Sequence, residues 1–394
     1  MGYIYAVLGG GRQGTAAAYD MAKFGDAERV IIADANVSAA RKSAARVNQL
    51  LDKEIAEGIH LDVSDAASLL TFLKGVDSFL SAVPYWLNPE ITKVAIQARA
   101  NMCDLGGHTD LVREQMKLNN LAQEARVAVI PDCGQVPGMG TSLIMYAMSL
   151  LDKTDDIFMW DGGNDQNPRP PFKYILTFNI AGLTNEYYGA ARFLRNYKLV
   201  DVPTFREEDY EIVEFPEPIG KLEAFVTSGG TSTAPYTFEG KVRTYENKTL
   251  RHIGHFAQWK TLLDVGFLEE EPVSVGGTKV SPRDLLHALI EPKIRATEND
   301  RDFVIIRVKA TGEKDSRKAE VVLDVIDYYD EATGFSAMER TTGFHGAIIA
   351  IMNAKGITSR GVHPVEVGVP GALFVEEMRK RGIEMDEKIT MTAG

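Results

Sequence analysis

The stretch TLRHIGHFAQWK brings Arg251, His252 and His255 close together. A guanidinium forks around a carboxylate through two parallel hydrogen bonds, and an imidazole exchanges protons near neutral pH. This cluster can therefore anchor an acid and move a proton. His252 and His255 are three apart, so a helix would show both on one face. A further histidine, His108, follows DLGG, whose glycines let the backbone pass close to a bound ligand. His108 is the first candidate for a general base and His255 the second. Asp104 and Asp132 either attract a cationic amine or cap the segments that follow, with capping expected for Asp132. No metal is expected: the seven histidines are scattered, and HIGH lacks the acid and cysteine partners of a zinc site.

The loop TSGGTST, residues 227–233, raises a phosphate question, because glycine pairs between hydroxyls often cradle phosphates. It lacks the lysine of a Walker loop, and Pro235 is expected to break any helix behind it. Its amides and hydroxyls, notably Thr231 and Ser232, suit a polar substrate or a domain interface.

Phosphate binding belongs instead to YIYAVLGGGRQGTAAAYDMAKFG, read as a strand over Tyr3–Leu8, a glycine turn and a helix over Arg12–Phe24. Gly9, Gly11 and Gly14 make G-x-G-x-x-G, with Arg12 and Gln13 opening the helix whose N-terminus faces a pyrophosphate. The second strand, ERVIIAD, ends in Asp34, placed for adenosine ribose hydroxyls and set against a 2'-phosphate. That favours NAD, with Arg41 leaving NADP open. Asp62, after a third strand in GIHLDV, is expected at the adenine edge. VDSFLSAV, ANMCDLGGH and RVAVIPDCG continue the alternation as further strands, with a helix over 66–74. The expected fold class is α/β, a Rossmann-type doubly wound parallel sheet whose ligands lie beyond the strands' carboxyl ends. Val83 and Pro84 belong to the cofactor edge there, and Tyr85 to the substrate side.

After a helix over 139–151 the texture changes. DDIFMWDGG, YILTFNIAG, YEIVEF, EAFVTS, FVIIRVKATG and VVLDVIDYYD read as strands of an inserted α+β domain at 136–340. Tyr174 ends its stiff PRPPFKY loop and is a substrate candidate. FHGAIIAIMNAKG and PGALFVEEMRKRG read as helices returning to the first domain, which is then 1–135 plus 341–394. With 394 residues, two domains are expected, and a net charge of -12 speaks against nucleic acid and anionic membranes. The longest apolar run near the end, 346–352, is too short to span a bilayer. Two cysteines, Cys103 and Cys133, and no basic N-terminal region before an apolar run, point to a reducing cytoplasm; both thiols are expected to be buried.

The motifs GGGRQG, DLGGH, VIPDCGQVPGM, PRPPFKY, EAFVTSGGTST, TLRHIGHFAQWK, SPRDLL, ERTTGF, RGVHPVE and EEMRKRG run nearly end to end. Through them the chain resembles the NAD-dependent lysine 6-dehydrogenases of the saccharopine dehydrogenase-like group. The resemblance implies oxidative deamination of the ε-amine of L-lysine to allysine, which cyclises to piperideine-6-carboxylate. It also implies a homodimer built on the second domain; by their own chemistry, Arg251, Thr231 and Ser232 are expected to hold the carboxylate of an amino-acid substrate. Saccharopine reductases carry an acid just before the Pro-Gly after the sixth strand, where this chain has Val136, so their active-site acid is not carried over. Carboxyspermidine-type reductive enzymes share the superfamily.

Overall fold

The computed structural model describes residues 2–391. Six strands, β1 (Tyr3–Leu8), β2 (Ala27–Asp34), β3 (Ala56–His60), β4 (Ser78–Ser81), β5 (Asn101–Asp104) and β6 (Ala128–Ile130), pair in the order β6-β5-β4-β1-β2-β3. Every pairing is parallel. The chain builds outward from β1 to β3, returns to β4 on the other side of β1, and builds outward again. The β1/β4 border is thus the switch point where doubly wound sheets leave a crevice at their carboxyl ends. Buried residues of β1 and β2 read as near-continuous apolar runs, as strands covered on both faces must.

The middle of the chain supplies β7 (Lys153–Asp165), β8 (Ala190–Arg195), β9 (Lys198–Pro203), β10 (Glu211–Glu214), β11 (Lys221–Phe225) and β12 (Thr244–His252). A separate hairpin follows, β13 (Val273–Val275) with β14 (Thr278–Val280), and then the long antiparallel pair β15 (Asp302–Lys314) and β16 (Arg317–Tyr328). These make a mixed second sheet in which β7 pairs parallel with β12 and antiparallel with β15. Helices Ile180–Glu186, His255–Asp264 and Pro282–Ile294 bring buried apolar residues into one cluster with Trp259 at its centre.

The helix Ala337–Ala354 then packs back against the first helix and β5. It is buried from Gly343 to Asn353, which explains why FHGAIIAIMNAKG is apolar all round. β17 (Gly361–Val362) extends the first sheet beside β6. The last strand, β18 (Met385–Met391), departs from the expectation that the whole tail stays with the first domain, because it pairs antiparallel with β16 on the second sheet. Its sequence, MDEKITM, is too polar to announce a strand; the open edge of β16 makes it one.

Three further local readings are corrected. YILTFNIAG is not a strand: Asn179 caps a helix over Ile180–Glu186, its side chain accepting from the Ala181 amide at 2.8 Å. Pro235 does not break a helix but opens one, Ala234–Phe238, where its missing N–H costs nothing. His252 and His255 do not share a helix, because β12 ends at His252 and Gly254, at φ +101°, turns the chain into the helix that His255 begins.

Candidate active site between the two sheets

At the glycine turn two of the three motif glycines have a steric reason. A Cβ on Gly9, at φ +107°, would stand 2.7 Å from the Ala82 carbonyl, and one on Gly14 would stand 2.0 Å from that of Gly9. A Cβ on Gly11 would meet nothing within 4 Å, so this side of the turn is open. No side chain caps the helix that starts at Arg12, and its first amides remain available to an anion. Asp34 accepts from the Gly10 amide at 2.8 Å and from the Asn36 amide at 2.7 Å, bracing the turn from below. Arg12 reaches Glu339 at 3.0 Å and ties the turn to the returning helix. The buried Gln13 Oε1 has no partner among the described residues, an acceptor left open beside the turn. Asp62 is exposed, past the end of β3, and binds Ser64 at 2.6 Å, which holds its carboxyl below the ordinary range. This set fits a dinucleotide: open amides at a helix start, a close-approach glycine and an acid at the end of β2.

Beyond β4, Val83 and Pro84 lead to Tyr85, whose ring stacks on His108 with centroids 5.9 Å apart and planes 17° apart. Gly107 must lack a side chain, because a Cβ would come within 2.7 Å of the Tyr85 ring. The His108 imidazole is exposed and makes no hydrogen bond among the described residues, so it stands free at the crevice. Asp104 does not. Fully buried, it accepts from the Gly106 amide and the Gln115 side chain, each at 2.8 Å, and from the Asp132 amide at 3.2 Å. It braces the DLGGH turn and is removed from the catalytic set, since no substrate reaches it. Cys103 and Cys133 are both fully buried, and their thiols donate to the Gly346 and Ile130 carbonyls, each at 3.2 Å.

Asp132 proves more consequential than a cap. It sits past the end of β6 at φ +60°, and Ser232, itself at φ +41° in the TSGGTST loop, donates its hydroxyl to it across the domain boundary. Glu366 on the returning segment accepts from Thr237 at 2.7 Å in the same way. Burial first, and then the Asp104 charge, push the Asp132 carboxyl up to about 7. A carboxyl whose folded value lies above its unfolded 3.8 stabilises the fold fully only at low pH. That contribution is lost as pH rises through about 7. Asp132→Asn, which keeps an acceptor for Ser232 and tolerates positive φ, should therefore flatten the fall in Tm between roughly pH 4 and about 7. Parallel Tm–pH curves for variant and wild type would remove this carboxyl from the balance.

The hydroxyls of TSGGTST are engaged by protein. Thr231 donates to the Arg192 carbonyl at 2.8 Å, Thr227 pairs with Thr249 at 2.7 Å, and Ser232 holds Asp132. Thr231 and Ser232 therefore cannot hold a substrate carboxylate through their side chains, as the sequence suggested. The loop instead closes over the second sheet, where a Cβ on Gly230 would stand 2.3 Å from the Asn247 side chain and 3.4 Å from Val136.

Beneath the loop lies a polar floor. Along β7 and β12, Asp161, Asn247, Thr249 and Arg251 alternate onto one face of the sheet. Asn247 donates to Asp161 at 2.8 Å, and Gln135 from the first domain approaches the same carboxylate at 3.5 Å. Arg251 is buried over the Tyr174 ring, 5.1 Å from its centroid. Its Nε donates to Tyr187 Oη and its Nη1 to the Leu250 carbonyl, both at 2.9 Å. His255 is buried behind this group. Its Nδ1 lies 2.9 Å from the Phe172 carbonyl and must donate, so Nε2 accepts from Tyr187 Oη at 2.8 Å. Burial and the neighbouring Arg251 charge hold it well below the ordinary histidine range. With both nitrogens taken, His255 is not a base for substrate; it orients Tyr187, which orients Arg251. His252 turns away, to the Asp165 carbonyl at 2.8 Å.

Sequence reasoning did not single out Asp161, Tyr187 and Asn247. The one available signal was DGGND inside a strand, where acids and glycines interrupt an apolar alternation; a Cβ on Gly162 would stand 3.0 Å from Arg251 Nη1.

With this geometry in place, the family can be settled. The saccharopine dehydrogenase NADP binding domain matches residues 5–130, and the saccharopine dehydrogenase C-terminal domain matches residues 134–383. The chain belongs to the saccharopine dehydrogenase family. The family is one of oxidoreductases acting on CH–NH groups. A saccharopine dehydrogenase [NADP(+), L-glutamate-forming] of Pyricularia oryzae is 23% identical, over 92% of this chain and 94% of its own. The yeast enzyme of the same description, from Saccharomyces cerevisiae, is 21% identical over 90% of this chain and 94% of its own. Among solved structures, the apo L-Glu-forming saccharopine dehydrogenase of Saccharomyces cerevisiae superposes with a TM-score of 0.78 at 19% identity, over 99% of this chain and 100% of that one. A homospermidine synthase of Legionella pneumophila in complex with NAD gives 0.66 at 11%, over 99% and 92%. These two show the shared fold: a Rossmann-type sheet with a second, mixed-sheet domain.

Proposed function

We propose that this member of the family catalyses NAD-dependent oxidative deamination of the distal amine of L-lysine, yielding the semialdehyde and ammonia. Two observations carry the reading: His108 past the end of β5 has an exposed imidazole with no hydrogen bond among the described residues, and Arg251 on β12 of the second sheet is a buried guanidinium with no ion pair among them. An amino acid anchored at one end by its carboxylate presents its far end to the other wall. The bound nicotinamide would supply a hydride acceptor. His108 would take the proton from the substrate ammonium and later from the attacking water. Asp104 and Tyr85 fix its loop and ring; Tyr187 and His255 fix Arg251. Val136, where saccharopine reductases carry an acid, supports a smaller substrate than saccharopine. NAD is favoured over NADP by Asp34, whose carboxylate at the turn opposes a 2'-phosphate, and the homospermidine synthase relative is a complex with NAD.

An NAD- and NADP-reduction screen over lysine, ornithine, saccharopine and diamines tests the reading; no turnover of lysine with either nucleotide ends it. A second reading, a reductive saccharopine- or carboxyspermidine-type dehydrogenase, is favoured by the full-length saccharopine dehydrogenase relatives. It requires NAD(P)H consumption only when amine and aldehyde are supplied together.

The division we propose is 1–135 with 341–384 for the nucleotide domain and 136–340 for the substrate domain, β18 joining the latter. We place the protein in the cytoplasm. Among the described residues no helix is long and apolar enough to cross a membrane. The proposed assembly is a homodimer through the second domain, where Val273, Val275, Leu285 and Leu289 are exposed. Leu289→Glu should then shift the sedimentation-equilibrium mass toward the monomer, and a monomeric wild type would exclude the assembly.

A further inference from the structure

Arg251, Asp161 and Glu186 are charges held close together but apart. Among the described residues Arg251 forms no ion pair with any carboxylate, and its Nη2 has no hydrogen-bond partner. Asp161 has one good donor, Asn247 at 2.8 Å, and a long one, Gln135 at 3.5 Å. Glu186 has none on its carboxylate. It is nevertheless fixed in place: its carbonyl accepts from the Ser228 amide of the TSGGTST loop at 2.7 Å, and its neighbour Tyr187 is the residue that holds Arg251. Arg251 and Asp161 are buried and Glu186 is half-buried, and charges withdrawn from water are ordinarily paired because an unpaired one is costly. Burial pushes the Glu186 carboxyl up to about 7 and that of Asp161 up to about 6, while the Arg251 charge draws both back down. Two acids beside one guanidinium, none of them paired, describe a site built for an external group bearing both signs. The guanidinium lacks an anion, and the two acids lack a cation.

We propose that Glu186 and Asp161 receive the α-ammonium of an amino-acid substrate whose α-carboxylate lies on Arg251. The cleft therefore selects α-amino acids with a distal amine over diamines and ω-amino acids. The subsite rests on the reading of this cleft as the place where an amine is oxidised, but its binding is separable from that reaction. Diamines lack the anion for Arg251; ω-amino acids lack the cation for the acids. A ligand with both, in the right order, satisfies all three groups at once.

The test uses ligands that have no distal amine to react. L-Norleucine and hexanoate are titrated into the NAD-saturated protein by calorimetry, wild type beside Glu186→Gln. The wild type should bind L-norleucine at least ~30-fold more tightly than hexanoate. Glu186→Gln should lose at least ~10-fold for L-norleucine, keep its hexanoate affinity, and retain NAD binding and Tm. Equal affinity of the wild type for the two ligands overturns the proposal without any variant being made, and so does unaltered L-norleucine binding in Glu186→Gln. A protein that prefers L-norleucine yet fails to oxidise lysine keeps this subsite and loses the proposed reaction. One that oxidises lysine and 6-aminohexanoate equally well loses the subsite and keeps the reaction.

Discussion

Arg251→Lys should raise the KM for L-lysine by ~10–100-fold and leave kcat within about threefold. The magnitude follows from the geometry. Nε and Nη1 of Arg251 are committed to Tyr187 and to the Leu250 carbonyl, which fixes the plane of the guanidinium and aims Nη2. A lysine ammonium keeps the charge, but it lacks the fork and cannot hold Tyr187 while also meeting a carboxylate. The lost group is a charge-assisted hydrogen bond in a desolvated site, worth about 1.5–3 kcal/mol. The anchor binds the end of the substrate remote from the chemistry, so the loss falls on KM. Steady-state kinetics on L-lysine decide it: an unchanged KM removes Arg251 from the site.

His108→Gln should lower kcat by about 10²–10⁴-fold while NAD affinity stays at the wild-type value. Glutamine preserves a polar side chain of similar reach but cannot take up a proton. Among the described residues no hydrogen bond joins the His108 imidazole to the glycine turn, which Asp34 braces from below. The pH dependence of kcat/KM separates this role from a structural one. Loss of the acidic limb in the variant is expected; a profile that parallels the wild type would sink the assignment.

The nucleotide half of this site was legible because its information is local. Gly9, Gly11, Gly14 and Asp34 lie within one βαβ unit, and their spacing alone announces the turn; Gly9 and Gly14 leave no room for a Cβ, and Asp34 holds the Gly10 amide. The substrate half was not, for two physical reasons. Asp161 on β7, Asn247 and Arg251 on β12, and Glu186 on the helix Ile180–Glu186 come from three elements, and the strand residues meet only when β7 and β12 pair, a register no local pattern encodes. And a sequence shows which groups can donate without showing who receives. Thr231 and Ser232 have the right hydroxyls for a carboxylate, yet the Arg192 carbonyl and Asp132 take them. His255 has the right imidazole for a base, yet the Phe172 carbonyl and Tyr187 occupy both of its nitrogens. The β18 strand failed for a third reason: its residues favour no strand by themselves, and only the waiting edge of β16 decides their conformation.

That last strand has a mechanical consequence. The chain runs from one sheet to the other after β6, back after β16, and across again before β18. At the second of these crossings Asp302 of β15 accepts from the Ala337 and Met338 amides at 2.8 and 2.9 Å, and Asp327 of β16 grips Arg340 at 2.7 Å. Two bodies sewn by a single thread can twist and slide; sewn at three places, with one seam riveted, the two sheets are held against both.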